Sequence, residues 1–206
     1  MKSPATAAGA RRSQSLGAPP KLRAVALVGF MGAGKTSVGR ALSKLLGWTF
    51  ADLDDQIERR ERRTVAEIFR ASGESGFRRA EHAALKELLD ELQVGVKKIV
   101  ALGGGAFVQN RNARLIEAAG IPAVFLDAEV EELWQRCNMQ VEKDGIERPL
   151  LADLGRFRRL YDARRPHYLR ARFRHETGGK NIREIAIGII GSLGLNQGSG
   201  PRGEKH

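Results

Sequence analysis

The sequence predicts an α/β protein in which a central parallel sheet of five strands is covered by helices on both faces. Three observations lead there. Short apolar runs alternate with segments of helical periodicity, the arrangement that βαβ units require. A length of 206 residues with 42% hydrophobic content suits one sizeable core rather than two. The first apolar run passes through a glycine-rich turn straight into a helical pattern, VALVGFMGAGKTSVGR, from Val25 to Arg40.

Taken in order, the expected elements are a strand from Ala24 to Val28, a helix from Lys35 to Leu46 and a strand from Thr49 to Leu53. Helices are then expected from Thr64 to Phe69 and from Gly76 to Leu92; in the second, Phe77, Ala80, Ala84, Leu85, Leu88 and Leu92 form one apolar stripe. A strand from Lys98 to Leu102, a helix from Arg111 to Ala119, a strand from Ala123 to Leu126 and a helix from Val130 to Cys137 follow. The chain closes with a helix from Leu154 to Tyr168, a strand from Arg172 to His175 and a helix from Ile182 to Leu193.

Residues 1–22 are rich in Ala, Ser, Gly, Pro and Arg without apolar periodicity and read as a disordered basic tail; a transit peptide has a similar composition. Residues 196–206 read as a second disordered tail, leaving a single domain at 23–195. Of the net charge of +11, Lys2, Arg11, Arg12, Lys21 and Arg23 put five on the first 23 residues, so the domain keeps a modest excess suited to anionic ligands rather than to nucleic acid. Cys137 is the only cysteine, which excludes an internal disulfide and a paired-cysteine metal site and fits a cytoplasmic setting. No apolar run approaches the roughly 20 residues of a membrane span, and no secretory signal follows Met1.

The most specific motif is Gly29-Phe-Met-Gly-Ala-Gly34-Lys35-Thr36, which matches G-x-x-x-x-G-K-[ST] between a strand and a helix. Gly32, Ala33, Gly34, Lys35, Thr36 and Ser37 would cradle the phosphates of ATP with backbone N–H groups and the helix N-terminus. Lys35 would reach the β- and γ-phosphates and Thr36 would ligate Mg²⁺. The neighbouring strand segment Ile99–Gly103 carries no acid, so the metal's carboxylate is expected from Asp52. Asp52 and Asp54, two apart on an extended strand end, would project to one side, one toward the metal and one toward an acceptor hydroxyl. Asp55 with Glu58 reads as a helix-capping box.

Further on come Thr64–Phe69, Gly73-Glu-Ser-Gly-Phe77-Arg78-Arg79-Ala-Glu81, Leu102-Gly103-Gly104-Gly105-Ala106, Arg148-Pro-Leu-Leu151 and Arg164-Arg-Pro-His-Tyr168. In this order, after the P-loop and Asp52-x-Asp54, they resemble the shikimate kinase family over about residues 24–190. The resemblance implies a three-layer P-loop kinase that transfers the γ-phosphoryl of ATP to the 3-hydroxyl of shikimate, a step toward chorismate and the aromatic amino acids, and that works as a monomer. It further implies that Arg78 and Arg164 grip the shikimate carboxylate, that Asp54 binds ring hydroxyls and takes the proton, and that Gly104 and Gly105 offer N–H groups where any Cβ would intrude. Asp52 would act on Mg²⁺, and Arg148 would sit on a lid at about 137–153, closing over the nucleotide and stabilising the transferring phosphate.

Three departures from the family pattern stand out: a longer stretch from Arg136 to Arg148, with Arg136 placed near the adenine; Ile182, where many members have proline; and Ala101, where some have a small hydroxyl. Rival readings are a gluconate kinase, a nucleoside monophosphate kinase, a P-loop protein without catalysis, and a nucleic-acid binder using the basic tail.

Overall fold

The computed structural model describes residues 22–144 and 149–196. Five strands, β1 (Ala24–Val28), β2 (Thr49–Asp52), β3 (Lys98–Ala101), β4 (Ala123–Asp127) and β5 (Phe173–Glu176), form one parallel sheet in the order β2-β3-β1-β4-β5. The three inner strands are buried along their whole length, as expected where helices cover both faces of a parallel sheet. Leu22, assigned from sequence to the tail, packs against this core. Residues 1–21 and 197–206, which hold the rest of both expected tails, lie outside the described residues, as does Arg148.

Seven helices are described: α1 (Lys35–Leu46), α2 (Leu53–Glu61), α3 (Val65–Asp90), α4 (Asn110–Ala118), α5 (Val130–Asp144), α6 (Leu154–Tyr168) and α7 (Ile182–Ser192). Two depart from the sequence expectation. Helix α2 was signalled only by the Asp55–Glu58 capping pattern and not as an element, because only Leu53 and Ile57 of its nine residues turn toward the core and its charged remainder shows no apolar stripe. Helix α5 runs to Asp144, well past Cys137, because MQVEKD continues the helical pattern without a breaker.

The two helices expected between Thr64 and Leu92 are both present, joined in α3 across a kink at Gly73. The first half starts with a reciprocal capping box between Thr64 and Glu67. At the kink Gly73 has φ 63° and ψ −173°, a conformation essentially restricted to glycine. It allows Phe69 to stack on Phe77 at 4.4 Å from the other side of the bend. No described helix is long and apolar enough to cross a membrane.

The strand order places β1 between β3 and β4, whose crossovers leave in opposite directions, so a crevice opens beyond the carboxyl ends of β1 and its neighbours. Asp52 pairs with Ala101, and Leu27 with the same residue, so the end of β2 lies level with the start of the glycine-rich turn.

A Cβ at Gly73 would meet nothing within 4 Å, so substitution there tests the backbone alone. Gly73→Ala and Gly73→Asn are both expected to cost about 1–3 kcal/mol, lowering Tm by roughly 2–4 °C per kcal/mol. Gly47 ends α1 at φ 67° and ψ 30°, a left-handed geometry that asparagine tolerates, so Gly47→Asn should shift Tm much less. Thermal unfolding of the three variants checks this, and equal shifts for Gly73→Asn and Gly47→Asn would contradict it.

Candidate active site

The turn from Gly29 to Thr36 wraps the carboxyl end of β1 and delivers α1 with its N-terminus facing the crevice. It lies close against its neighbours: a Cβ at Gly32, where φ is 78°, would stand 2.7 Å from the Leu133 carbonyl and 2.9 Å from Cys137 Sγ. Lys35 Nζ donates to the carbonyls of Gly29 and Phe30 at 3.0 and 2.9 Å, so the amine lies over the cradle. Burial lowers its pKa to about 8, against the opposing pull of Asp54 and Asp52.

Asp52 is the last residue of β2 and the N-cap of α2. One carboxylate oxygen accepts from the Asp54 amide at 3.1 Å, and the other from the Thr36 hydroxyl at 2.8 Å. The capping residue is therefore Asp52 and not Asp55, which lies inside the first turn. Asp54 is also in that turn rather than on an extended strand beside Asp52, so the cap is what brings the two carboxylates to the same place. A Cβ at Gly103 would stand 2.6 Å from Asp54 Oδ1, which makes Gly103 the floor under this side chain. Burial first, and the neighbouring Asp52 second, raise the Asp54 pKa above the ordinary carboxylate range, while Lys35 opposes them.

The Thr36 hydroxyl and the Asp52 carboxylate form a hard-oxygen pair suited to Mg²⁺, which takes one or two protein oxygens and fills its remaining positions with water and substrate phosphates. Among the described residues no group of three or more His, Cys, Asp or Glu could enclose a metal, as a shared site of this kind requires none.

Two arginines flank the Gly103–Gly105 turn. Arg78, 13% exposed, projects from α3 just beyond the kink; Nη1 meets Glu81 at 2.9 Å and Nη2 meets Glu74 at 3.3 Å. Its Nε is buried without an acceptor, which leaves the fork with donor capacity unused. A Cβ at Gly105 would fall 2.5–2.9 Å from this guanidinium. Glu81 itself is 1% exposed; burial raises its pKa against the Arg78 charge. Asn112 on α4 donates to Glu81 at 3.4 Å and to the Ala106 carbonyl at 3.1 Å, tying the clamp to the glycine turn.

Arg164 projects from α6, with its guanidinium 5.9 Å from the Phe30 ring centre and Nη1 3.6 Å from where a Gly104 Cβ would lie. Phe30 meets Phe157 and Tyr161 of the same helix edge-on at 5.0 and 5.6 Å, so the phosphate turn and this arginine share one aromatic anchor. The Tyr168 hydroxyl donates to the Gly104 carbonyl. Within this turn, then, the glycines pressed against protein atoms are Gly103 and Gly105, and Gly104 has ordinary room.

A cavity of about 860 Å³ joins these groups: Gly32 to Ser37 of the cradle, Asp52, Asp54, Gly103, Gly104 and Arg164 all line it. Arg78 and Gly105 stand beside that lining and are not part of it. The far end of the cavity is bordered by Arg136, Met139, Gln140 and Ile182. Arg136 is held there by Glu132 at 2.6 Å and the Thr177 carbonyl at 2.9 Å.

Sequence reasoning missed Gly103, Glu81, Asn112, Phe30 and Tyr168. Only Glu81 left a usable signal, a carboxylate three residues after Arg78 in the middle of an apolar stripe.

A family model described as shikimate kinase matches residues 31–193. The shikimate kinase of Symbiobacterium thermophilum is 40% identical over 184 residues, covering 87% of this chain and 99% of that one. The enzyme of Cereibacter sphaeroides is 36% identical over 83% of this chain and 82% of its own length. The solved structure of shikimate kinase from Acinetobacter baumannii in complex with shikimate superimposes with a TM-score of 0.73 at 34% identity, covering 84% of this chain and 93% of that one. With this match across most of its length, the chain belongs to the shikimate kinase family.

Proposed function

We propose that this protein transfers the γ-phosphoryl group of ATP to the 3-hydroxyl of shikimate. The observation that carries the reading is the single cavity in which the phosphate cradle, the Thr36–Asp52 pair, Asp54 and Arg164 face one another. All of these groups come from one chain, which supports action as a monomer, and the lone buried cysteine is in keeping with a cytoplasmic enzyme.

Lys35 would exchange the Gly29 and Phe30 carbonyls for phosphate oxygens, and the turn's backbone N–H groups and the α1 N-terminus would fix the triphosphate. Mg²⁺ held by Thr36 and Asp52 would supply neutralising charge at the phosphates. Arg78 and Arg164 would grip the acceptor's carboxylate from the two sides of the glycine turn. The acceptor oxygen then bonds to the γ-phosphorus as the bond to the β-phosphate oxygen breaks, and the hydroxyl proton passes to Asp54, leaving ADP. Burial that makes Asp54 a stronger base than an exposed aspartate suits it to that transfer. Arg148, outside the described residues, is assigned to closing over the nucleotide, which would keep water from competing for the phosphoryl group.

The deciding experiment follows ADP formation from Mg-ATP with shikimate, with gluconate and with no acceptor. Strong stimulation by shikimate alone supports the reading. Equal rates in all three, from protein that binds ATP, would overturn it, and stimulation by gluconate would transfer the assignment to a gluconate kinase.

Asp54→Asn should lower kcat by roughly 10²–10⁴-fold with the KM for ATP nearly unchanged. An undiminished kcat would remove Asp54 from the chemistry. In the parent enzyme kcat/KM should fall on the acid side as Asp54 protonates, beginning above the ordinary aspartate range because its pKa is raised. On the alkaline side it should fall near pH 8 as free Lys35 loses its proton. Bound phosphate stabilises the charged lysine, so the alkaline limb of kcat belongs at higher pH than that of kcat/KM. Arg78→Ala should raise the KM for shikimate by roughly 10-fold or more while leaving that for ATP within about twofold, since a charged hydrogen bond contributes roughly 1.5–3 kcal/mol. Steady-state kinetics in both substrates would expose a clamp located elsewhere.

A further inference from the structure

Tyr168 is fully buried at the end of α6, one helical turn after Arg164 on the same face, with its ring tilted over Phe125 of β4 at 5.4 Å. A phenol at this depth needs a partner for its only proton, and that proton goes to the carbonyl of Gly104, 64 residues away. The oxygen can then only accept, and the Arg164 guanidinium lies beside it as the charge that opposes the effect of burial on its acidity. Burial dominates and pushes the Tyr168 pKa up to about 12, so the hydroxyl keeps its proton throughout the working range.

The consequence follows from peptide geometry. The bond between Gly104 and Gly105 is trans, so the Gly104 carbonyl and the Gly105 N–H point in opposite directions within one plane. Holding the carbonyl toward Tyr168 therefore aims the Gly105 N–H the other way. Glycines have little else to fix their peptide orientation, since no side chain restrains them. One hydroxyl thus sets the direction of an N–H 63 residues away, in the same turn that the Arg164 guanidinium borders, 3.6 Å from where a Gly104 Cβ would lie.

We propose that Tyr168 is a positioning residue of the acceptor site, its hydroxyl locking the Gly104–Gly105 peptide and Arg164 into the arrangement that receives the shikimate carboxylate and ring. The proposal rests on the carboxylate-clamp reading of Arg164 given above.

Tyr168→Phe tests it, because the ring and its packing on Phe125 remain and only the hydroxyl is lost. The expected result is a rise of roughly two- to tenfold in the KM for shikimate, in line with the loss of a hydrogen bond between neutral partners, with the KM for ATP within about twofold. KM does not depend on how much of the protein is folded, so a partly unstable variant still reports. Combined with Arg164→Lys, the rise in shikimate KM should be smaller than the product of the two single effects, because the hydroxyl acts partly through that arginine. An unchanged shikimate KM, equal rises for both substrates, or a strictly multiplicative double variant would overturn the proposal. An Arg164→Lys enzyme with the parent's shikimate KM would instead sink the clamp reading on which it rests.

Discussion

Asp52 spends its two carboxylate oxygens in different directions, one on the Thr36 hydroxyl and one on the Asp54 amide, and the two halves of the cavity are aligned by that division. The first contact crosses from β2 to the start of α1 and sets the Thr36 and Asp52 oxygens, the pair proposed to hold Mg²⁺, next to the glycine-rich turn. The second starts α2 one residue later and turns Asp54 into the crevice. An isolated helix of nine residues is marginal on its own, so the start of α2 depends on this cap and on Leu53 and Ile57 packing into the core. Moving the cap by a single residue would rotate Asp54 by roughly 100° about the helix axis and take it off the Gly103 floor.

The same closeness explains the electrostatics. Lys35, Asp52 and Asp54 lie within mutual reach in a poorly hydrated crevice, and burial acts oppositely on them, weakening the lysine's hold on its proton and strengthening that of Asp54. Were burial the only influence, both groups would drift toward neutrality. Their mutual attraction opposes that drift, favouring a charged lysine beside a charged carboxylate of raised basicity, the pair of states the proposed phosphoryl transfer calls for. Neither property belongs to either residue alone.

What could be read from the sequence was local. Strand β1, the glycine turn and α1 follow one another within 23 residues, and their apolar run, glycine spacing and lysine-threonine pair carry the geometry between neighbours. The carboxylates were found, but their relation was misread, because the Asp55–Glu58 spacing imitates a capping box and the true cap is set by where β2 must end against Ala101. Two other buried groups, Asn112 and Tyr168, were out of reach for a different reason. Both matter through contacts with residues 6 to 64 positions away, and nothing in linear spacing distinguishes such a buried asparagine or tyrosine from one that merely fills the core.

The acceptor side is built so that one contact is fixed and another is free to change. Glu81, buried in an apolar stripe, would be costly to leave charged without a partner, and the Arg78 bond at 2.9 Å supplies one. Glu74, 70% exposed and at 3.3 Å, loses little by returning to water. On the proposed clamp reading of Arg78, an incoming carboxylate would compete with Glu74 and not with Glu81. The guanidinium would then stay anchored through its inner contact while its outer nitrogen changed partner, and a lysine, with a single point of charge, could not hold both at once in a fixed plane. Gly105 completes the constraint, since the space its missing Cβ leaves is where the guanidinium lies.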